Sequence, residues 1–199
     1  MAIEYEATFP DIDKDEIKKR LKKAGAVLVH AEVLQKRSNF YPPQNNDKDS
    51  WVRVRDEGDG IITMSFKTVP DKTENISDQK EICLKVDNFA EAKIFLLSLG
   101  CSEKSYQETK REAWKLDGAE ITLDEWPFLL PFVEIESNSE ENVKNVSEKL
   151  NFNYQDALFC NVFYLYSQQY KISVEELKKM VSTELSRLTF DSDNPFIIK

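Results

Sequence analysis

Glu4 and Glu6 stand two residues apart in IEYEAT, and Glu134 and Glu136 repeat that spacing in FVEIES. Glu120, Thr122 and Asp124 follow the same step in AEITLDE. Elsewhere the alternating positions carry bases: Arg53 and Arg55 in WVRVRD, and Lys67 after Thr63 and Ser65 in TMSFK. In extended chain, side chains two residues apart project from one face, about 6.5–7 Å from each other. Three strands thus gather acids and two gather bases, although like charges on neighbouring sites of one face repel. A sheet with one solvated face also alternates apolar and polar residues, but it gains nothing from sorting the polar ones by sign. A metal ion between the acids and a multiply charged anion between the bases would relieve both repulsions. Carboxylates without histidine or cysteine select Mg²⁺ or Mn²⁺, and Ca²⁺ less readily. Paired guanidiniums donate in a fork that fits phosphate oxygens. The indicated chemistry is the joint holding of a polyphosphate-type anion and a divalent metal.

These residues need strands to position them, and the opposite faces say what covers those strands. Val52 and Val54, Ile62, Met64 and Phe66, Ile121 and Leu123, and Val133 and Ile135 form apolar faces that amphipathic helices can bury. Alternation predicts extended segments over 2–9, 27–41, 51–56, 61–68, 79–86, 103–116, 119–125 and 131–137. Turn formers separate them, among them Pro42-Pro43, Asn45-Asn46-Asp47 and Asp117-Gly118. Asp13 with Glu16, and Asn88 with Glu91, stand in capping-box register ahead of helices over 14–24 and 89–99, with Gly25 and Gly100 past their ends. Ser137 with Glu140 reads as a third box before Val143, Val146 and Leu150. The aromatic run Phe159, Phe163, Tyr164 and Tyr166, within 154–170, reads as helix core. Ser173 with Glu176 opens a last helix near 174–188, with Val174, Leu177, Val181, Leu185 and Leu188 on one face.

A length of 199 residues suits one domain, with residues 1–170 as its body and 171–199 as a helical extension of it. The net charge of −9 argues against a nucleic-acid surface while leaving room for a locally basic cavity. No apolar run approaches a membrane span and the N-terminus lacks a signal-peptide pattern, so a cytoplasmic protein is expected. Cys83, Cys101 and Cys160 are scattered, which fits reduced thiols rather than a zinc or disulfide framework. His30, the single histidine, is read as structural or exposed.

The ordered set of motifs resembles the CYTH family, the triphosphate tunnel metalloenzymes, which include class IV adenylyl cyclases and thiamine triphosphatases. Residues 4–8, Glu-Tyr-Glu-Ala-Thr, are similar to the family's opening Glu-x-Glu-x-Lys, with Thr8 where the lysine stands. Arg53 and Arg55 match its R-x-R strand, 63–67 its lysine-ended strand, and Thr109-Lys110-Arg111 a later basic strand. Leu123, Asp124 and 132–136 match its acidic end, and Gln35, Phe40 and Tyr41 a Gln…Tyr-Phe-like segment. The resemblance spans about residues 2–170. It departs from the family at Thr8, at Leu130-Pro131 in place of Leu-Gly, and at Cys83 in place of an acid.

The resemblance implies an α+β fold: a closed eight-stranded antiparallel β-barrel, or tunnel, with a polar charged interior and helices packed outside. It implies that Arg53, Arg55, Lys67, Lys85, Lys110 and Arg111 bind the triphosphate, and that Glu4, Glu6, Glu81, Asp124, Glu134 and Glu136 hold Mg²⁺ or Mn²⁺. Glu4, Glu6, Lys67 and Arg111 are the residues expected to carry catalysis. The expected activity is metal-dependent hydrolysis of a nucleoside, thiamine or inorganic triphosphate. The alternatives are an adenylyl cyclase forming cyclic AMP from ATP and a binder weakened in catalysis by Thr8, with Lys14 and Lys36 as the candidate substitutes for the missing lysine. A small-molecule triphosphate is the expected partner, without nucleic acid or membrane, and a homodimer is the assembly to consider.

Overall fold

The computed structural model describes residues 2–43, 50–181 and 183–197. The turn expected at Asn45-Asn46-Asp47 lies outside them. The strands are β1 (Ala2–Ile3), β2 (Tyr5–Phe9), β3 (Val27–Tyr41), β4 (Ser50–Asp56), β5 (Ile62–Thr68), β6 (Lys72–Thr73), β7 (Lys80–Val86), β8 (Ser102–Leu116), β9 (Ala119–Glu125), β10 (Phe132–Ser137), β11 (Phe159–Cys160) and β12 (Arg187–Leu188). The helices are α1 (Lys14–Ala24), α2 (Phe89–Ser98), α3 (Glu140–Lys149), α4 (Val162–Tyr170) and α5 (Val174–Met180).

The fold is α+β, built on a curled antiparallel sheet in the order β1-β7-β5-β4-β3-β8-β9-β10-β2. Residues 2–9 supply both ends of that order. Ala2 is the register partner of Glu81 in β7, whereas Glu6 and Thr8 are the partners of Glu136 and Glu134 in β10. Glu4 lies at the break between the two pairings, where its N–H donates to the Gln79 carbonyl at 3.0 Å. With residues 2–9 taken as one broken strand, the principal strands are those that alternation predicts.

One face of the sheet is covered by helices because its side chains are apolar. Ala7, Phe9, Ile121, Leu123, Val133 and Ile135 meet Ile17 and Leu21 of α1, Val143 and Val146 of α3 and its C-cap Leu150 in one buried cluster. Burying a side chain of this size stabilises the fold by about 1.5–3 kcal/mol. Phe40 and Val54 pack under Ala92 and Leu96 of α2 in a second cluster. Caps set the helix limits: the Asp13 side chain accepts the N–H groups of Asp15 and Glu16, and Gly25 ends α1 at φ +83°.

A third cluster joins Trp126 and Phe132 to Leu165 and Tyr166 of α4 and Leu177 of α5. The helix expected near 174–188 stops at Met180, where a turn closed by Leu185 N–H on the Met180 carbonyl at 2.8 Å replaces it. Val181, Leu185 and Leu188 stay buried, and Leu188 does so from β12, parallel to β8. Ser139, not Ser137, caps α3, by accepting the Asn142 N–H. Among the described residues, no helix is long and apolar enough to cross a membrane.

Candidate functional site

The polar face of the sheet borders a cavity of about 200 Å³. Alternation carries the sorted charges into it. Glu4, Glu6 and Thr8 enter from the first strands, Arg53 and Arg55 from β4, Lys67 from β5, Arg111 from β8, and Glu134 and Glu136 from β10. Register then puts like charges side by side. Glu136 is the partner of both Glu6 and Glu120, a row of three carboxylates across three strands. Arg37 and Arg55 are partners on β3 and β4. Directly opposed like charges destabilise a sheet unless something of opposite sign comes between them.

Part of that compensation is internal. Lys67 Nζ lies 2.9 Å from Glu4 Oε2 and 3.6 Å from Glu81, and Arg53 reaches Glu81 at 3.1 Å. Arg55 donates to Glu57 at 2.8 Å, a carboxylate that also accepts from Thr63 at 2.7 Å and Gln35 at 2.8 Å. Arg111 donates to both oxygens of Asp124, at 2.7 and 3.0 Å, and to Glu134 at 2.5 Å.

The remainder is not met from within. Among the described residues, Glu4 Oε2 accepts no hydrogen bond of proper geometry, so its contact with Lys67 is coulombic only, and Nε of Arg37 and of Arg53 have no acceptor. Burial, joined by the Glu6 carboxylate beside both, raises the carboxyl pKa of Glu134 to about 8 and of Glu136 to about 7. Burial also raises Glu4, with its hydrogen bond to Glu81 acting in the same direction. For Glu81 burial is outweighed by Arg53 and Lys67, and its pKa falls. On the basic side, burial and the guanidiniums of Arg55, Arg53 and Arg111 hold Arg37 well below the usual arginine value. Counter-charge is therefore missing at the row of Glu6, Glu136 and Glu120, which wants a cation, and at Arg37, which wants an anion.

The donor set fits a small hard cation, since Glu4, Glu6, Glu134 and Glu136 offer carboxylate oxygens in a common space. Among the described residues, no group of three or more His, Cys, Asp or Glu is gathered tightly enough to hold a metal by itself. Mg²⁺ commonly takes one or two carboxylates and completes its shell with water and phosphate oxygens, so a loose set is compatible with it.

Four of the expected site residues are placed differently from the rest. Asp124 is fully buried outside the cavity lining, and its oxygens are taken by Arg111 and by Thr122 at 2.6 Å, so it anchors an arginine instead of facing a metal. Glu81 lines the cavity but is already held by two cations. Lys110 has the opposite parity to Arg111 on β8; its Nζ pairs with Glu125 at 3.2 Å and sits 4.5 Å from the Phe190 ring, away from the cavity. Lys85 is exposed near the end of β7 and does not line the cavity. Neither proposed substitute for the missing lysine reaches the site: Lys14 is spent on Glu32 and Glu125, and Lys36 is exposed on β3.

Arg37 is the principal residue that sequence reasoning missed. It is 5% exposed, lines the cavity, donates to Thr109 at 2.6 Å and lies 4.6 Å from the Trp126 ring. The signal was present, because Gln35, Arg37 and Asn39 alternate along β3 as Arg53 and Arg55 do along β4. A second missed set, Lys104 with Trp51, Phe163 and Lys178, lines the end of the cavity near α4 and α5.

The profile of the CYTH domain matches residues 2–158 of this chain. Among solved structures, a conserved hypothetical protein from Pyrococcus furiosus is similar at a TM-score of 0.64 and 21% identity, covering 77% of this chain and 94% of that one. A protein from Vibrio parahaemolyticus described as a candidate adenylate cyclase gives a TM-score of 0.67 at 13% identity, covering 78% and 92%. A candidate adenylyl cyclase from Hippeastrum, described as having a dominant triphosphatase activity, gives 0.59 at 15% identity, covering 88% and 100%. No curated protein gives a significant match. At these identities the likenesses establish the fold alone.

Proposed function

The chain belongs to the CYTH domain family, and on that premise we propose that it is a metal-dependent phosphohydrolase acting on a triphosphate held in the charged cavity. The observation that carries this reading is the convergence of Arg37, Arg53, Arg55, Lys67 and Arg111 on one space with Glu4, Glu6, Glu134 and Glu136. A single phosphate could reach only a few of these cations at once, whereas a triphosphate chain offers oxygens to all of them. The tunnel closes, in this reading, through residues 2–9, whose halves pair with β7 and β10.

Arg53, Arg55 and Arg37 would bind phosphate oxygens through fork-shaped donation, and Lys67 would add a point charge beside the acids. Arg111, fixed by Asp124, would present its guanidinium without reorganisation to the charge that develops at phosphorus. Mg²⁺ or Mn²⁺, held by Glu4, Glu6, Glu134 and Glu136, would neutralise phosphoryl oxygens and orient the chain for in-line attack. Water is the attacking group in hydrolysis; in the cyclase alternative a ribose hydroxyl attacks the α-phosphorus and pyrophosphate leaves.

One observation favours a second reading, that of a binder with weak turnover. Thr8 is 3% exposed and lines the cavity, so a neutral hydroxyl stands where the family's lysine would add a cation. The test is turnover of ATP, thiamine triphosphate and inorganic triphosphate with Mg²⁺ or Mn²⁺, scored separately for phosphate and cyclic AMP. Phosphate release supports hydrolysis and cyclic AMP supports the cyclase. Binding without either product supports the binder, and the absence of binding sinks all three.

A further inference from the structure

A β-bulge in β8 delivers to the cavity a lysine that the triphosphate reading does not use. Asn39 pairs with Ser105 and Phe40 with Glu103, which leaves Lys104 as the extra residue. Ser105, Gln107 and Arg111 are the inward positions of β8, so strict alternation would send Lys104 to the outer face. A bulge re-aims the side chain it carries, and Lys104 lines the cavity. Its Nζ lies 5.2 Å from the Tyr41 ring, 5.6 Å from Phe163 and 5.8 Å from Trp51. Burial among these rings, together with the charge of Lys178, lowers its pKa to about 8. Asp71, the acid that acts on it, is engaged by Lys178 at 2.6 Å and by Asn161 at 2.9 Å.

Resting on the triphosphate reading, the geometry points to Lys104 as the residue that reads the organic part of the substrate, a neutral planar heteroaromatic group bearing a hydrogen-bond acceptor, as in a nucleoside triphosphate. Three elements of the site select that chemistry. The rings of Trp51 and Phe163, which line the cavity, offer apolar faces to a flat group. The Lys104 amine brings N–H donors that have no acceptor among the described residues, and a ring nitrogen or exocyclic oxygen would supply one. Sign supplies the third. Such rings by themselves would attract a cationic heterocycle, but the Lys104 ammonium already lies 5.2–5.8 Å from Tyr41, Phe163 and Trp51, and a second cation among them would meet its charge. A cationic ring is thereby disfavoured, and a bare polyphosphate leaves this end unused.

The test compares wild type with Lys104→Met by equilibrium binding, with Mg²⁺ present, of ATP, inorganic triphosphate and thiamine triphosphate, the last carrying a cationic ring. Wild type is expected to bind ATP more tightly than thiamine triphosphate. Loss of one hydrogen bond from a charged donor should weaken ATP binding by about tenfold. Inorganic triphosphate binding should hold within about twofold, which also shows that the variant is folded, and thiamine triphosphate should gain relative to ATP. Equal weakening of ATP and inorganic triphosphate, unchanged ATP binding, or tighter wild-type binding of thiamine triphosphate than of ATP would each overturn the role of Lys104 while leaving the triphosphate reading intact. Failure of all three compounds to bind wild type overturns both.

Discussion

Arg111 and Asp124 face each other across β8 and β9 as register partners, joined by two hydrogen bonds of 2.7 and 3.0 Å. The carboxylate is fully buried, and its pairing fixes the guanidinium that also reaches Glu134. Asp124 therefore acts by positioning an arginine, although its sequence context reads as a metal ligand.

Removal of that carboxylate charge should be expensive. Asp124→Asn leaves the mostly buried Arg111 with that partner neutralised, a change that typically costs about 3–5 kcal/mol. Urea denaturation should show a loss of that order, and a loss below about 1 kcal/mol would mean that Glu134 alone can hold Arg111.

Arg37 should behave in the opposite sense. Among the described residues it has no carboxylate within ion-pair distance, and three other arginines act to lower its pKa. Arg37→Met is expected to weaken triphosphate binding by about 10–100-fold, the scale of a charged hydrogen bond, without lowering the melting temperature of the ligand-free protein. Calorimetric titration and a thermal melt read the two halves of this prediction; unchanged affinity would place Arg37 outside the anion site.

The pH response follows from Glu134 at about 8 and Glu136 at about 7. A carboxyl whose folded pKa is raised contributes stability at pH values below its unfolded value, and that contribution is lost as pH rises through the folded value. With metal chelated, the melting temperature should fall between pH 5 and 9, across the window from the unfolded value near 4.5 to these two. Mg²⁺ should reduce the fall and release protons on binding near neutral pH, because a cation favours the ionised carboxylates. Titration in two buffers of different ionisation enthalpy measures that release, and none at pH 7 would contradict the shifts.

Thr8→Lys would place an ammonium group opposite Glu134, its register partner in β10. Triphosphate affinity is expected to rise by about tenfold. Lys110→Ala, which alters an outward side chain, should leave affinity as it was. The reverse ranking in a parallel titration would refute the register used throughout.

Strand alternation made most of this architecture legible. It located β3 over 27–41 and β9 over 119–125 at their observed limits, and the Asp13 and Gly25 caps fixed α1. Alternation also gave the inward face, because Glu4, Glu6, Arg53, Arg55 and Lys67 all share it. Pairing across strands was not legible. Nothing within residues 119–125 tells that Arg111 will occupy Asp124, and Lys110 enters the expected site through the resemblance of Thr109-Lys110-Arg111 to a basic strand of the family, against its own parity. The stripe from Val174 to Leu188 misled for a related reason: Leu185 and Leu188 keep helical spacing but return to the core through a turn and a strand. Lys104 was invisible because a bulge breaks the rule by which the inward residues were found.

The division of residues 2–9 between β7 and β10 also governs how the molecule is made. Those partners lie over 70 and over 120 residues further along the chain, and pairings of such separation form late, after the loops between them have lost their freedom. On the ribosome this segment emerges before its partners and must wait, unpaired, for residues 132–137. Glu4 and Glu6 belong to that waiting segment, and their charge guards an early β-edge against pairing with neighbouring chains until its own strands arrive.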